Sequence, residues 1–306
     1  MEPLPSEEQV QSWLYDKSNW GRWGKDDQKG AMNLLTPAKR VQAAQLVKSG
    51  QAISLSRPLS TAPNNAHDPR PVAHYFRGRA TAPNYGAAMD YLGIDYHGAF
   101  TTHLDALCHY WGPRGMWQGK EPVQVIGLEG AKWATVEHWR EGFTTRGVLL
   151  DVPGYRGEPF VTTDKPVHGG ELQAVAKAQG VEVQPGDALL VYCGREAWDE
   201  AHPQKPFSVH GEKKPGLHAS CLPFIRDCDA SILVWDMMDA IPSGYTINAP
   251  VHGILFAYGV AIVDNAMLGE LANACAAAKR HEFMLTLTPL YVIGGTGSPV
   301  NPVAIL

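Results

Sequence analysis

The sequence predicts an α/β fold. Two observations carry this. Apolar runs of strand length recur through the second half of the chain, and helix-period segments closed by turn residues lie between them. The runs are Gly147 to Val152, Ala188 to Tyr192, Ser231 to Trp235, Gly259 to Val263 and Phe283 to Leu290. Their β-branched and Leu-rich composition is that of buried strands.

Read from the N-terminus, the first helix is expected after Thr36. That residue is a plausible N-cap, Pro37 takes the first helical position and Gly50 closes the segment. Val41, Ala44 and Leu46-Val47 would form its apolar stripe. Upstream, Trp20-Gly21-Arg22-Trp23-Gly24 and Asn33 mark either a packed arm or a lid on a pocket. Residues 57–95 are rich in Pro, Ala, Asn and Gly and read as long connections with short strands, a kind of segment that carries function. Further on, Glu171 to Gln179 reads as a helix ended by Gly180, Pro185-Gly186-Asp187 as a turn, and Leu268 to Lys279 as an Ala-rich helix. No repeat or linker interrupts the pattern. The expected organisation is one domain over residues 1–306, with an N-terminal arm over about 1–50.

Composition narrows the function classes. Hydrophobic residues make up 44% and charged residues 19%, which suits a folded globular chain. Net charge is −5 (26 basic against 31 acidic) and no basic block occurs, so nucleic acid is not an expected partner. No apolar run reaches the ~18 residues of a membrane span, and the start lacks the pattern of a signal peptide. The five cysteines are scattered without a CxxC pair, which favours reduced thiols and a cytoplasmic setting.

The most informative run is Thr102-His103-Leu104-Asp105-Ala106-Leu107-Cys108-His109. On a strand His103 and Asp105 point the same way, because side chains alternate with period two. His109 follows four residues later, so one turn could return it to the same place. Imidazoles and a carboxylate so arranged can hold a divalent cation and activate water. A buried histidine satisfied by backbone is the plainer alternative. Thr101 and Thr102 would support the ligands. His97 could fold inward because Gly98 permits an unusual backbone. A second group, His252 and Asp264-Asn265, could come together across a return between strands; alternatively Asp264 caps the helix that follows. Arg195 follows a strand end, where α/β pockets form, and is a candidate for binding a substrate carboxylate. Trp111 and Phe100, with neighbouring aromatics, suit a flat apolar substrate or simply the core. No Gly-x-Ser-x-Gly elbow occurs, and Cys108 and His109 as strand neighbours point apart, against a Cys–His pair.

The stretch His97 to His109 resembles the signature of the metal-dependent cyclase-like hydrolases. These include bacterial kynurenine formamidase, isatin hydrolase and a cyclase-like γ-lactamase. Thr102-His103-Leu104-Asp105 and His109 match the second half of His-x-Gly-Thr-His-x-Asp-x-Pro-x-His. His252-Gly253 and Asp264 resemble the downstream His and Glu. The Gly294 to Pro299 ending and the Trp-Gly-Lys-Asp-Asp…Gly-Ala-Met-Asn segment resemble a longer branch. Three positions depart: Ala99 stands where the first His belongs, with His97 two residues further back; Leu107 replaces the proline; Asp264 replaces the Glu.

The resemblance implies a swivelling β/β/α fold with a mixed, barrel-like sheet packed by helices. It also implies a homo-oligomer, dimer or tetramer, and one or two zinc or manganese ions. His97, His103 and Asp105 would hold the first ion, and Asp105 would bridge to a second completed by His252 and Asp264. His109 would serve as base and acid. The expected reaction is hydrolysis of an amide, lactam, cyclic imide or lactone in a small molecule. The alternatives are a metal-free binding protein of the same fold, and a lyase or cyclase using the same metal.

Overall fold

The computed structural model describes residues 4–61, 70–82, 84–203, 207 and 213–306. Met1 to Pro3 of the expected signal-free start, and 62–69 and 83 of the segment read as long connections, lie outside them.

Nine strands form one mixed sheet. In chain order they are β1 (Ala52–Ser54), β2 (His103–Asp105), β3 (Phe143–Asp151), β4 (Ala188–Tyr192), β5 (Ile232–Trp235), β6 (Ala261–Asp264), β7 (Glu282–Leu287), β8 (Gly297–Pro299) and β9 (Val303–Ile305). Their order across the sheet is β1-β9-β7-β3-β4-β5-β6-β2-β8. The centre, β3 to β6, is parallel; the strands on both flanks run antiparallel. The sheet curls into a half-barrel packed by helices, the cyclase-like fold. The central strands are buried on both faces, which is why they read as unbroken apolar runs. One contiguous core runs from Val10 to Leu306.

All five expected strands form, Ala188–Tyr192 with its expected ends and the other four with shifted ones. Two of the expected helices also form, Gly169–Gln179 and Gly269–Ala278, the first closed by Gly180 in the left-handed region. A helix the pattern did not foretell, Glu7–Tyr15, opens the described chain. Its Ser6–Gln9 capping box satisfies free N–H groups, and it buries Val10, Leu14 and Tyr15.

The helix after Thr36 corrects its expectation. It spans Pro37–Ala44 and stops well short of Gly50. Val41 is 57% exposed; the face turned inward carries Ala43 and Lys39. Lys39 and Arg146 both pair with Asp187, which is fully buried, so an ionic trio fastens this helix to β3.

The Trp- and Gly-rich segment is a packed arm. Trp20 Nε1 donates to Phe256 O, and Asn19 Nδ2 donates to Tyr258 O. Within the Gly294 to Pro299 ending, Gly297–Pro299 form β8. Two short ribbons occupy part of 57–95: 73–76 pairs with 90–93, and 79–82 with 85–87. Tyr75, Phe76, Tyr91 and Leu92 on the first are exposed. Among the described residues no helix is long and apolar enough to cross a membrane.

Candidate metal centre

The centre is built where β2 lies between β6 and β8. The register sets His103 opposite Asp264, so both project from the same face of the sheet. Asp105, two residues on, shares that face, while Leu104 points into the core on the other. Asp264 is the last residue of β6, and the following helix begins only at Gly269 with Leu268 as its cap. The helix-cap alternative for Asp264 is therefore overturned.

His97 reaches the cluster through the Tyr96-His97-Gly98 loop. Gly98 adopts φ +152, and a Cβ there would lie 2.7 Å from Arg70 Nη2. His97 Nδ1 lies 2.9 Å from Asp105 Oδ1, His103 Nε2 3.4 Å from the same oxygen, and His109 Nε2 3.8 Å from Asp105 Oδ2. The His97 and His109 rings stack with centroids 3.9 Å apart. On the other side His103 Nε2 and His252 Nε2 approach Asp264 Oδ2 at 3.9 and 3.3 Å. Two triads result, His97/Asp105/His109 and His103/Asp105/Asp264, and Asp105 belongs to both.

Three of the four imidazoles are oriented from behind. His103 Nδ1 is 2.8 Å from Thr101 O, His97 Nε2 is 3.1 Å from Thr296 Oγ1, and His252 Nδ1 is 2.5 Å from Asp239 Oδ2. In each case the other ring nitrogen faces the carboxylates, the arrangement by which outer partners fix metal-binding histidines. Trp235 Nε1 donates to Asp264 Oδ1. Thr102 Oγ1 donates to Asn265 O at 2.7 Å.

The residues fit a cation. Asp105 is fully buried, yet neither carboxylate oxygen has a hydrogen-bond partner, and His97 Nδ1 has none despite its short approach. A bare buried carboxylate is unfavourable by several kcal/mol unless a positive charge compensates it. The ligand atoms of each triad lie within 4.8 Å of one another.

Electrostatics agree with that layout. Burial pushes Asp105 up, but the imidazoles of His109, His103 and His97 outweigh it and hold the carboxyl below its ordinary range. For His109 burial dominates and lowers the pKa to about 4, against the pull of Asp105. At neutral pH it is an uncharged proton acceptor. Burial also disfavours a charged His252, but Asp264 and Asp239 overcome this and raise it well above its ordinary value.

Above the cluster lies a cavity of about 370 Å³, whose wall includes Tyr110, Lys214, Met238, Ile241 and Ala249. The three residues expected to touch substrate lie elsewhere. Arg195 is buried away from the cavity: its guanidinium donates to Asn265 Oδ1 (2.6 Å) and Ala99 O. Asn265, in the left-handed region at φ 57, passes this on by donating to Gly98 O and Thr101 O. Arg195 thereby positions the His97 loop. Trp111 is exposed and Phe100 packs on the core; neither lines the cavity, where Tyr110 supplies the aromatic surface. The Cys108 thiol is buried and pushed up to about 12, as an inert thiol should be.

Asp239 and Lys214 were missed by sequence reading. For Asp239 a signal existed: Asp236 and Asp239 follow the carboxyl end of a parallel strand, where α/β sites gather. For Lys214 none existed.

The family comparison matches this architecture. The Cyclase family model covers residues 53–240, more than half of the chain. The chain belongs to the Cyclase family. A crystal structure of a novel cyclase is 29% identical, with TM-score 0.81 over 94% of this chain and 99% of that one. Isatin hydrolase A from Labrenzia aggregata, bound to benzyl benzoate, is 16% identical with TM-score 0.55, covering 86% and 94%. An isatin hydrolase bound to the product analogue thioisatinate is 15% identical with TM-score 0.57, covering 88% and 95%. These last two share the fold. No curated protein matches the sequence.

Proposed function

We propose that this protein is a metal-dependent hydrolase that opens an amide, lactam, cyclic imide or lactone bond of a small molecule. One observation carries the reading: two donor triads share Asp105, whose buried oxygens lack any hydrogen-bond partner, on the floor of a cavity. The isatin hydrolases of the same fold support the reaction class. Zinc and manganese both suit imidazole and carboxylate donors.

His97, His103 and Asp105 would hold one ion, and His252 and Asp264 would complete a second. A divalent cation supplies Lewis acidity there, acidifying water and polarising a carbonyl. His109, neutral and beside Asp105, takes the proton from the attacking water and returns it to the leaving nitrogen or oxygen. Asp239 keeps His252 turned toward Asp264. Tyr110 and the aliphatic wall exclude water from the apolar part of the substrate. We also propose that the chain works as a homo-oligomer; the exposed aromatics of the 73–93 ribbon are consistent with self-association.

The test is a screen of formamides, cyclic imides, lactams and lactones with zinc- and manganese-loaded protein, run in oxygen-18 water. One labelled oxygen in the product is expected. Turnover without label would favour a lyase or cyclase, and no turnover on any class would reject the reading.

A further inference from the structure

Lys214 is a buried lysine that pairs with no carboxylate among the described residues. Its backbone is pinned, with N donating to Ile241 O and O accepting from Ile241 N, both at 3.0 Å. The residue is 8% exposed and lines the cavity above the metal donors. Among the described residues its ammonium forms no ion pair and no hydrogen bond. Burial lowers the pKa of its ammonium, and Asp239 and Asp264 partly oppose that. The Phe207 ring centroid lies 5.5 Å from its Nζ, and a ring face replaces only a fraction of what water or a carboxylate gives an ammonium. Every other charged group around the cavity is engaged: Arg70 with Asp95 and His97 O, Asp239 with His252 and Val251 N, and Asp264 with Trp235 and His252.

A charge so placed stays buried at a cost unless something occupies the space in front of it. The remaining wall shows what the rest of that occupant resembles: Tyr110, Met238, Ile241 and Ala249 offer apolar surface. We propose that Lys214 binds a carboxylate on the substrate, so that the site takes amides, lactams or lactones whose apolar body also carries an acid group. This rests on the hydrolase reading above and adds the substrate class to it. The ammonium positions the ligand by its charge, while the reacting carbonyl lies over the His97–Asp105 donors.

The test compares the three isomeric N-formylaminobenzoates with formanilide, which lacks the acid. Wild type should prefer the best isomer by at least ~10-fold in kcat/KM, the scale of a hydrogen bond to a charged group. Lys214→Met, which keeps the apolar stem, should lose about 10–100-fold on that isomer, mainly in KM. It should change formanilide less than about 2-fold, and Lys214→Arg should retain most of the preference. An equal fall on formanilide would overturn the proposal, since the lysine would then serve a step common to all substrates or the fold itself; unchanged values on both would overturn it too. If wild type hydrolyses none of these compounds, the formanilide frame does not fit the site, and the hydrolase reading is decided by the wider screen above. Calorimetry with the aminobenzoates then decides the carboxylate site: binding to wild type that is lost in Lys214→Met supports it, and equal or absent binding overturns it.

Discussion

At the scale of single residues, His109 separates two roles. It stands close enough to Asp105 to ligate, and its lowered pKa leaves it uncharged at neutral pH, free to accept a proton. As the base, His109→Ala should retain metal and lose about 10²–10⁴-fold in turnover. Loss of stoichiometric metal by elemental analysis would make it a ligand instead. Asp239→Asn should leave the melting curve nearly unchanged but cost about 10–100-fold in metal affinity or activity, because His252 loses its orienting carboxylate; unchanged affinity and activity would remove Asp239 from the support of the site. Legibility followed distance along the chain. His103 and Asp105 were readable from period two alone, and His97 from the freedom of Gly98. Asp239 and Lys214 meet the cluster only through the sheet and its loops, and a single sequence carries no record of that meeting.

At the scale of elements, β8 is what the glycine-rich tail is for. Gly297 pairs with Asp105, and a Cβ there would sit 2.4 Å from Leu104 O and 3.0 Å from His97 Cε1. Gly297→Ala must push β8 off β2 and is expected to cost about 1–3 kcal/mol; wild-type stability by urea unfolding would contradict this. The strands of the parallel centre were visible because burial on both faces leaves unbroken apolar runs. β8 is only three residues long, too short for any periodicity to stand out. The Pro37 helix shows the opposite failure. Its apolar residues suggested one face, but the ion pair of Lys39 with Asp187 turned another inward. Tertiary electrostatics overrode the local pattern.

At the scale of the whole molecule, that same trio ties the N-terminal arm to the sheet. Asp187→Ala leaves Arg146 and Lys39 buried without their shared partner and should cost about 3–5 kcal/mol; a change below ~1 kcal/mol in chemical denaturation would refute the tie. Acid should also loosen the fold away from the metal centre. Burial first, and His168 second, lower His218 to about 4, whereas the unfolded side chain titrates near ~6.5. Between those values the unfolded chain binds a proton that the folded chain refuses. The stability from this group is therefore full above pH ~6.5 and lost as pH falls toward 4. His218→Asn, which keeps a capping acceptor, should flatten that part of the pH–stability curve; superimposable curves would contradict it. The α/β class and the family were legible from the sequence, but the substrate wall was not, since loops from distant parts of the chain assemble it. The most direct measurement is calorimetric titration of zinc and of manganese into chelator-stripped protein, beside Asp105→Ala. The prediction is at least one ion bound per chain in wild type and none in the variant, with the variant still folded by circular dichroism; a wild type that binds neither ion, or a variant that binds as well, would contradict the shared-carboxylate centre.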